Sequence, residues 1–212
     1  MLGIVAFDLD GTLIRGATVC ELLAAPLGRD AEMRRFEACT TARDLRAARS
    51  EMACWYRGHA RRSLCRGLAD ARWAPGAREA VAELQGAGIE VVIASVTWRF
   101  AVAWFAERLA VRRFLGTGLS ARGEITHVWP QAKASWLRGL ARELGVPRGR
   151  TAAVGDSTGD LPMLRSAALR FFVGASNPPG LPGVAHLPGA DLRTIADAVL
   201  RRWGGCSDRP VE

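Results

Sequence analysis

Two aspartates stand two residues apart where an apolar run near the N-terminus breaks off: Gly3-Ile4-Val5-Ala6-Phe7-Asp8-Leu9-Asp10-Gly11-Thr12-Leu13. The run is short and β-rich, which predicts a buried strand. The far end of a parallel strand is where open α/β sheets bind ligands. Carboxylates placed there are costly unless a cation or hydrogen bonds compensate them. Together they offer a nucleophile, a neighbouring acid/base, and oxygen ligands for a hard cation such as Mg2+. The plainer alternative is a strand that runs into an Asp-Gly turn.

Three later segments repeat the pattern. Ser95 ends the apolar run Ile89–Ala94, where its hydroxyl and the next backbone N–H can bind an oxyanion. Asp156 and Asp160 lie in Gly155-Asp156-Ser157-Thr158-Gly159-Asp160, just after the run Thr151–Val154. Lys133, the chain's only lysine, sits one turn into a helix predicted from Pro130, where an ammonium can pair with phosphate. Each residue has an ordinary alternative: a strand end, a solvated helix position, a turn or an N-cap. All four in this order, at strand ends, suit Mg2+-assisted attack on a phosphate monoester.

The elements that must hold these residues alternate between strand and helix. After the first strand, Thr18 and Glu21 form an expected capping box, with Gly28 as the stop. From Asp30 to about Ala71 the chain reads as helical throughout. Pro75 opens a helix to about Gln85, the strand Ile89–Ala94 follows, and Thr97 is the expected N-cap of a helix to Leu109. A small hairpin is expected between Leu119 and Trp129, then strands at Thr151–Gly155, Leu169–Val173 and Val184–Leu187. Asp191 caps a last helix to about Trp203. The expected fold class is therefore α/β: a Rossmann-like, three-layer, mostly parallel sheet with a helical cap inserted between the first two strands. Residues 1–15 and 75–204 are assigned to the core, 16–74 to the cap and 205–212 to a flexible tail.

Composition bounds the rest. A 212-residue chain with 49% hydrophobic and 24% charged residues suits one core plus a small insert. No apolar run is long enough to span a membrane and the N-terminus lacks a basic leader, so a cytoplasmic protein without membrane contact is expected. The formal charge is +8, but the arginines are spread along helices without a dense tract, so nucleic acid is not an expected partner. Cys20, Cys39, Cys54, Cys65 and Cys206 show no metal-binding spacing with the three histidines, and free thiols are expected. The oligomeric expectation is a monomer or homodimer.

In this order the motifs resemble the haloacid dehalogenase (HAD) superfamily, specifically its phosphoserine-phosphatase-like branch, from about Gly3 to Trp203. Asp8-Leu9-Asp10-Gly11-Thr12 is similar to the family's first motif, Ser95 to the second, Lys133 to the third, and Gly155–Asp160 to the fourth. The resemblance implies that Asp8 attacks phosphorus and that Asp10 serves as acid and then base. It implies Mg2+ on Asp8, the Asp10 backbone carbonyl and Asp156, with Asp160 supporting. It further implies phosphate contacts from Ser95 and Lys133, with Thr12 alongside them supporting the loop. The implied partner is a small-molecule phosphomonoester.

The pattern departs from the family around the substrate. Ala17 stands where phosphoserine phosphatases carry an amine-binding carboxylate, and Glu21 is the nearest substitute. Val96, Thr97 and Trp98 replace the glycines usual after Ser95. Arg61 lies near the family's cap arginine. Glu21, Arg61 and Trp98 are thus the candidate substrate contacts, and a phosphatase that is not phosphoserine-specific is the expectation. Two alternatives stay open at this point: a phosphotransferase, and a non-catalytic nucleic-acid-binding or regulatory protein on the same fold.

Overall fold

The computed structural model describes residues 2–178 and 180–204. The tail assigned to 205–212 and the thiol of Cys206 lie outside the described residues. The chain begins with β1 (Gly3–Phe7), every residue of which is buried. Its side chains alternate between two clusters. Ile4 and Ala6 face one with Leu137, Leu140, Met163 and Leu164. Val5 and Phe7 face another with Val81, Leu84, Phe105, Ile195 and Val199. A strand buried on both faces is continuously apolar, as this one is.

A short ribbon opens the insert: β2 (Ile14–Arg15) pairs antiparallel with β3 (Arg72–Trp73). Between them lie α1 (Val19–Ala24), α2 (Asp30–Glu37), α3 (Ala42–Tyr56) and α4 (Arg61–Leu64). The Thr18–Glu21 capping box forms on α1, and Gly28 closes that turn. The expectation of unbroken helix from Asp30 to Ala71 needs correcting. Breaks fall before the Thr41 N-cap and after Tyr56, and the ribbon, too short to show alternation in sequence, ties the insert's two ends.

The core resumes with α5 (Ala77–Gly86), β4 (Ile89–Trp98), α6 (Arg99–Arg108), β5 (Arg113–Leu119) and β6 (Ile125–Thr126). Then come α7 (Pro130–Glu143), β7 (Thr151–Gly155), α8 (Leu161–Ser166), β8 (Leu169–Phe172), β9 (Ala185–His186) and α9 (Leu192–Gly204). Seven strands form one sheet in the order β6-β5-β4-β1-β7-β8-β9, parallel except at the β5–β6 edge. α7 and α8 cover one face, and α5, α6 and α9 the other. The mostly parallel α/β architecture expected from sequence is present.

Three local expectations differ. α5 starts at Ala77, with Pro75-Gly76 outside it. β4 runs on through Ser95 to Trp98, which takes the N-cap position in place of Thr97. The β4–β5 register slips between Ala94 and Trp98, so the strand is bulged where the sequence suggested a stop. β5 itself was not expected, since Arg113-Phe-Leu-Gly-Thr-Gly-Leu119 carries two glycines and no alternation.

Gly3 fixes how α9 closes the sheet's base. A Cβ there would lie 2.6 Å from the Arg150 carbonyl and from the Trp203 ring. Arg150 Nη1 in turn donates to the Trp203 carbonyl at 2.8 Å. Gly3→Ala should therefore destabilise the chain by about 1–3 kcal/mol through overpacking. Urea unfolding should show a lower midpoint at unchanged slope; an unchanged midpoint would mean that α9 yields freely.

Candidate active site

Register decides which residues meet. Phe7 of β1 stands level with Ile93 of β4 and with Val154 of β7. The residues just beyond, Asp8, Ser95 and Asp156, therefore emerge at one edge of the sheet, the carboxyl end of its three central strands. The Asp8 N–H still donates to the Val154 carbonyl at 3.0 Å. The chain then turns tightly, the Leu9 carbonyl accepting from Thr12, Leu13 and Ile14. Gly11 makes this possible: its φ is +76°, and a Cβ there would run into the Asp156 carboxylate.

Lys133 reaches this edge from the first turns of α7. Its ammonium, 3% exposed, donates to Asp8 Oδ1 at 2.6 Å and to Asp160 Oδ1 at 2.7 Å. Burial alone would lower the lysine's pKa, but the two carboxylates override it and hold the pKa above the ordinary lysine value. Burial pushes Asp8 well above the usual carboxylate range, and the Asp160 charge adds to this while Lys133 opposes it. Asp160 is wholly buried, and its Oδ2 accepts from the Asp156 and Ser157 N–H groups and the Ser157 hydroxyl. Ser157 and Asp160 form a capping box, so the carboxylate both shapes the loop after β7 and seats Lys133.

Asp156 stands at the β7 tip. It accepts from the Thr12 hydroxyl at 3.3 Å, and burial, reinforced by Asp160, raises its pKa to about 6. Thr12 is thus engaged with the carboxylate. Ser95 is buried in the β4 bulge, where its Oγ accepts the Thr97 N–H at 3.1 Å. Carboxylate oxygens of Asp8, Asp156 and Asp160 lie within 4.8 Å of one another. Asp8 and Asp160 share the Lys133 ammonium, and all three carboxylates are oxygen donors, a set that fits a hard divalent cation.

Asp10 faces elsewhere. Its Oδ1 accepts the N–H of Val19, the first residue of α1, at 2.6 Å. Burial lifts its pKa to about 7; the Val19 hydrogen bond opposes this and Glu37 adds to it. Asp10 lines a cavity of about 250 Å³ between the core edge and the insert. Trp98 lines it too, although the ring is only 1% exposed and packs edge-on against Tyr56 in the shared core. It forms part of the cavity wall.

The remaining candidates separate from this cavity. Glu21 Oε2 is held by the Thr18 N–H at 2.7 Å, inside the capping box. Arg61 donates to the Leu119 carbonyl at 2.6 Å and lies over the Phe100 ring, in a different groove. Two residues on the cavity were not foreseen. Glu37, at the end of α2, accepts from the Thr18 hydroxyl at 2.9 Å. Arg49 of α3 is buried; its Nη2 donates to the carbonyls of Val96 and Val128, and its guanidinium lies over Trp129. In a chain so rich in arginine, only burial distinguishes Arg49, and burial is a tertiary property.

The family model described as haloacid dehalogenase-like hydrolase matches residues 5–165. A phosphoserine phosphatase of Idiomarina loihiensis is 31% identical over 122 residues, which cover 52% of this chain and 53% of that one. The chain thus aligns with about half the length of that curated relative. A phosphoserine phosphatase holding a phospho-aspartyl intermediate analogue superposes with a TM-score of 0.74 at 22% identity, over 92% of this chain and 98% of that one. A probable phosphoserine phosphatase of Vibrio cholerae gives a TM-score of 0.70 at 21% identity, over 98% and 68% of the two chains. Likeness at such identities establishes the fold.

The ion triad makes a stability prediction independent of any activity. Lys133→Met leaves Asp8 and Asp160 facing one another without a counter-charge, which should cost about 3–5 kcal/mol at neutral pH. Urea unfolding in the presence of a chelator measures it. Adding Asp160→Asn should recover part of the loss; no recovery would mean that the cost is one of packing.

Proposed function

The chain belongs to the haloacid dehalogenase-like hydrolase family, and from that premise we propose that it is a Mg2+-dependent phosphatase of a small phosphomonoester, working through an aspartyl-phosphate. One observation carries the reading. The two aspartates of the first loop are held apart for separate tasks, Asp8 against Lys133 and Asp10 against the cavity.

In this reading Asp8 attacks phosphorus and the ester P–O bond breaks. The leaving group's carbon skeleton occupies the cavity, so its oxygen departs beside Asp10. A carboxyl with a pKa near 7 can give that oxygen a proton and, once ionised, take one from the water that cleaves the aspartyl-phosphate; such catalysis is worth roughly 10²–10⁴-fold. That second cleavage returns Asp8 as a carboxylate and releases inorganic phosphate. Lys133 and the Ser95 loop hold the phosphoryl oxygens, Lys133 exchanging part of its hold on Asp8 for them. Asp8, Asp156 and the Asp10 carbonyl, with Asp160 behind them, would hold Mg2+, which supplies positive charge opposite the phosphoryl group. Residues 1–15 and 75–204 serve as the catalytic core, and 16–74 as the cap over it.

The substrate need not be phosphoserine. Ala17 is exposed, Glu21 is spent on the capping box, and Arg61 lies in another groove. Both hydrogens of Arg49 Nη2 are directed at backbone carbonyls, which leaves no open fork for a substrate carboxylate.

Three measurements test this reading. With p-nitrophenyl phosphate and Mg2+, Asp8→Asn should retain less than a hundredth of wild-type turnover; a variant keeping a tenth would sink the covalent mechanism. Exhaustive EDTA treatment should abolish phosphate release and Mg2+ should restore it, whereas activity that survives chelation would remove the metal. Across aryl, sugar, glycerol and amino-alcohol phosphates, phosphoserine should not give the highest kcat/KM. If it does, Glu21 becomes the first residue to test as an amine ligand.

A further inference from the structure

The cavity that begins at Asp10 has a marked chemical character. Its walls include Met33, Phe36, Met52 and Trp98, two thioethers and two aromatic rings. Phe36 is stacked on Trp55 with centroids 5.4 Å apart, which presents the ring as a fixed surface. At the rim, at the end of α2, stands Glu37, anchored by the Thr18 hydroxyl at 2.9 Å. Arg49 is the cation on the lining; its Nη2 donates to the Val96 and Val128 carbonyls, and its Nη1 lies 3.2 Å from His127 Nδ1. Cys20, also on the lining, is a thiol whose pKa burial pushes up to about 12, so it contributes no charge at neutral pH.

A carboxylate beside aromatic faces and polarisable sulfur is the surrounding that favours an organic ammonium. An anionic leaving group would meet Glu37 and Asp10 without a free guanidinium fork to offset them. At about 250 Å³ the space admits a compact group of a few carbons. Resting on the phosphatase reading above, we infer that Glu37 is a specificity-determining residue and that the enzyme selects phosphomonoesters of small amino alcohols, a cationic leaving group without a carboxylate. Phosphate at Asp8 and ammonium at Glu37 then lie at opposite ends of one short substrate, with the ester oxygen beside Asp10. Because Glu37 is at the rim and exposed, the preference it confers is of the order of tenfold, below what a dry ion pair would give.

The test compares 2-aminoethyl phosphate with propyl phosphate, its neutral counterpart, alongside O-phosphoserine and p-nitrophenyl phosphate. In the wild type, kcat/KM for 2-aminoethyl phosphate should exceed that for propyl phosphate about tenfold or more, and should exceed that for O-phosphoserine. In Glu37→Gln the aminoethyl-to-propyl ratio should collapse toward unity, while Glu37→Asp should keep part of it. The ratio cancels any general loss of activity in the variants, and the wild-type comparison stands even if a variant fails to fold. Release from p-nitrophenyl phosphate with no ammonium preference would overturn this inference alone. So would a preference that persists undiminished in folded Glu37→Gln, or a higher kcat/KM for O-phosphoserine. No release from any of the four would overturn the phosphatase reading, and this inference with it.

Discussion

A buried ammonium shared by two buried carboxylates holds the site together. Lys133 contacts Asp8 and Asp160 at 2.6 and 2.7 Å, with all three groups nearly excluded from solvent. None could be buried alone at such a place, because each charge would carry a desolvation cost of several kcal/mol. The triad joins β1, α7 and the loop after β7, so it fixes the depth at which α7 meets the sheet. It also sets the electrostatics: Asp160 is tied by four hydrogen bonds, one from Lys133 and three from the Asp156–Ser157 loop. Among the described residues, Lys133 is the one side-chain hydrogen-bond partner of Asp8.

The other aspartate of the loop is governed by the insert. The backbone N–H at the start of α1 is donated to Asp10, so the position of the acid/base candidate depends on where α1 begins. That start is set locally by the Thr18–Glu21 capping box. The same threonine hydroxyl anchors Glu37 of α2. One short segment, residues 18–21, thereby links the Asp10 carboxyl to the Glu37 carboxylate on the same cavity. Across the cavity, Arg49 ties α3 to the core through the carbonyls of Val96 and Val128, and stacks on Trp129. The cavity's shape is therefore determined jointly by insert and core, and their apolar side chains belong to one continuous cluster through Tyr56, Trp98 and Phe100.

Much of the architecture was legible because its causes are local. Continuous apolar runs mark β1, β4 and β7, since strands covered on both faces must be apolar on both. The capping box on α1, the Pro130 start of α7 and the Asp191 cap of α9 are matters of neighbouring backbone groups. What escaped were elements stabilised by partners far away in the chain. β5 holds its place by pairing with β4, and β2 by pairing with β3 more than fifty residues later. The extension of β4 beyond Ser95 is accompanied by a register slip against β5, a pairing with residues about twenty positions later.

The same division applies to the site. Sequence alone determined which ionisable groups stand at the core edge, because carboxylates ending apolar strands, and one lysine in a chain of arginines, stand out by residue type and position. Tertiary structure decided how they are used. It turned Asp10 toward Val19, engaged Thr12 with Asp156, committed Glu21 to its capping box and placed Arg61 in another groove. It also brought Glu37 and Arg49 to the cavity from helices whose sequences look like any solvated, arginine-rich helix. The reason is physical: a chemical group is written in the residue, but its burial and its partners are set by helix packing between segments tens of residues apart, and those determine which charge faces the substrate.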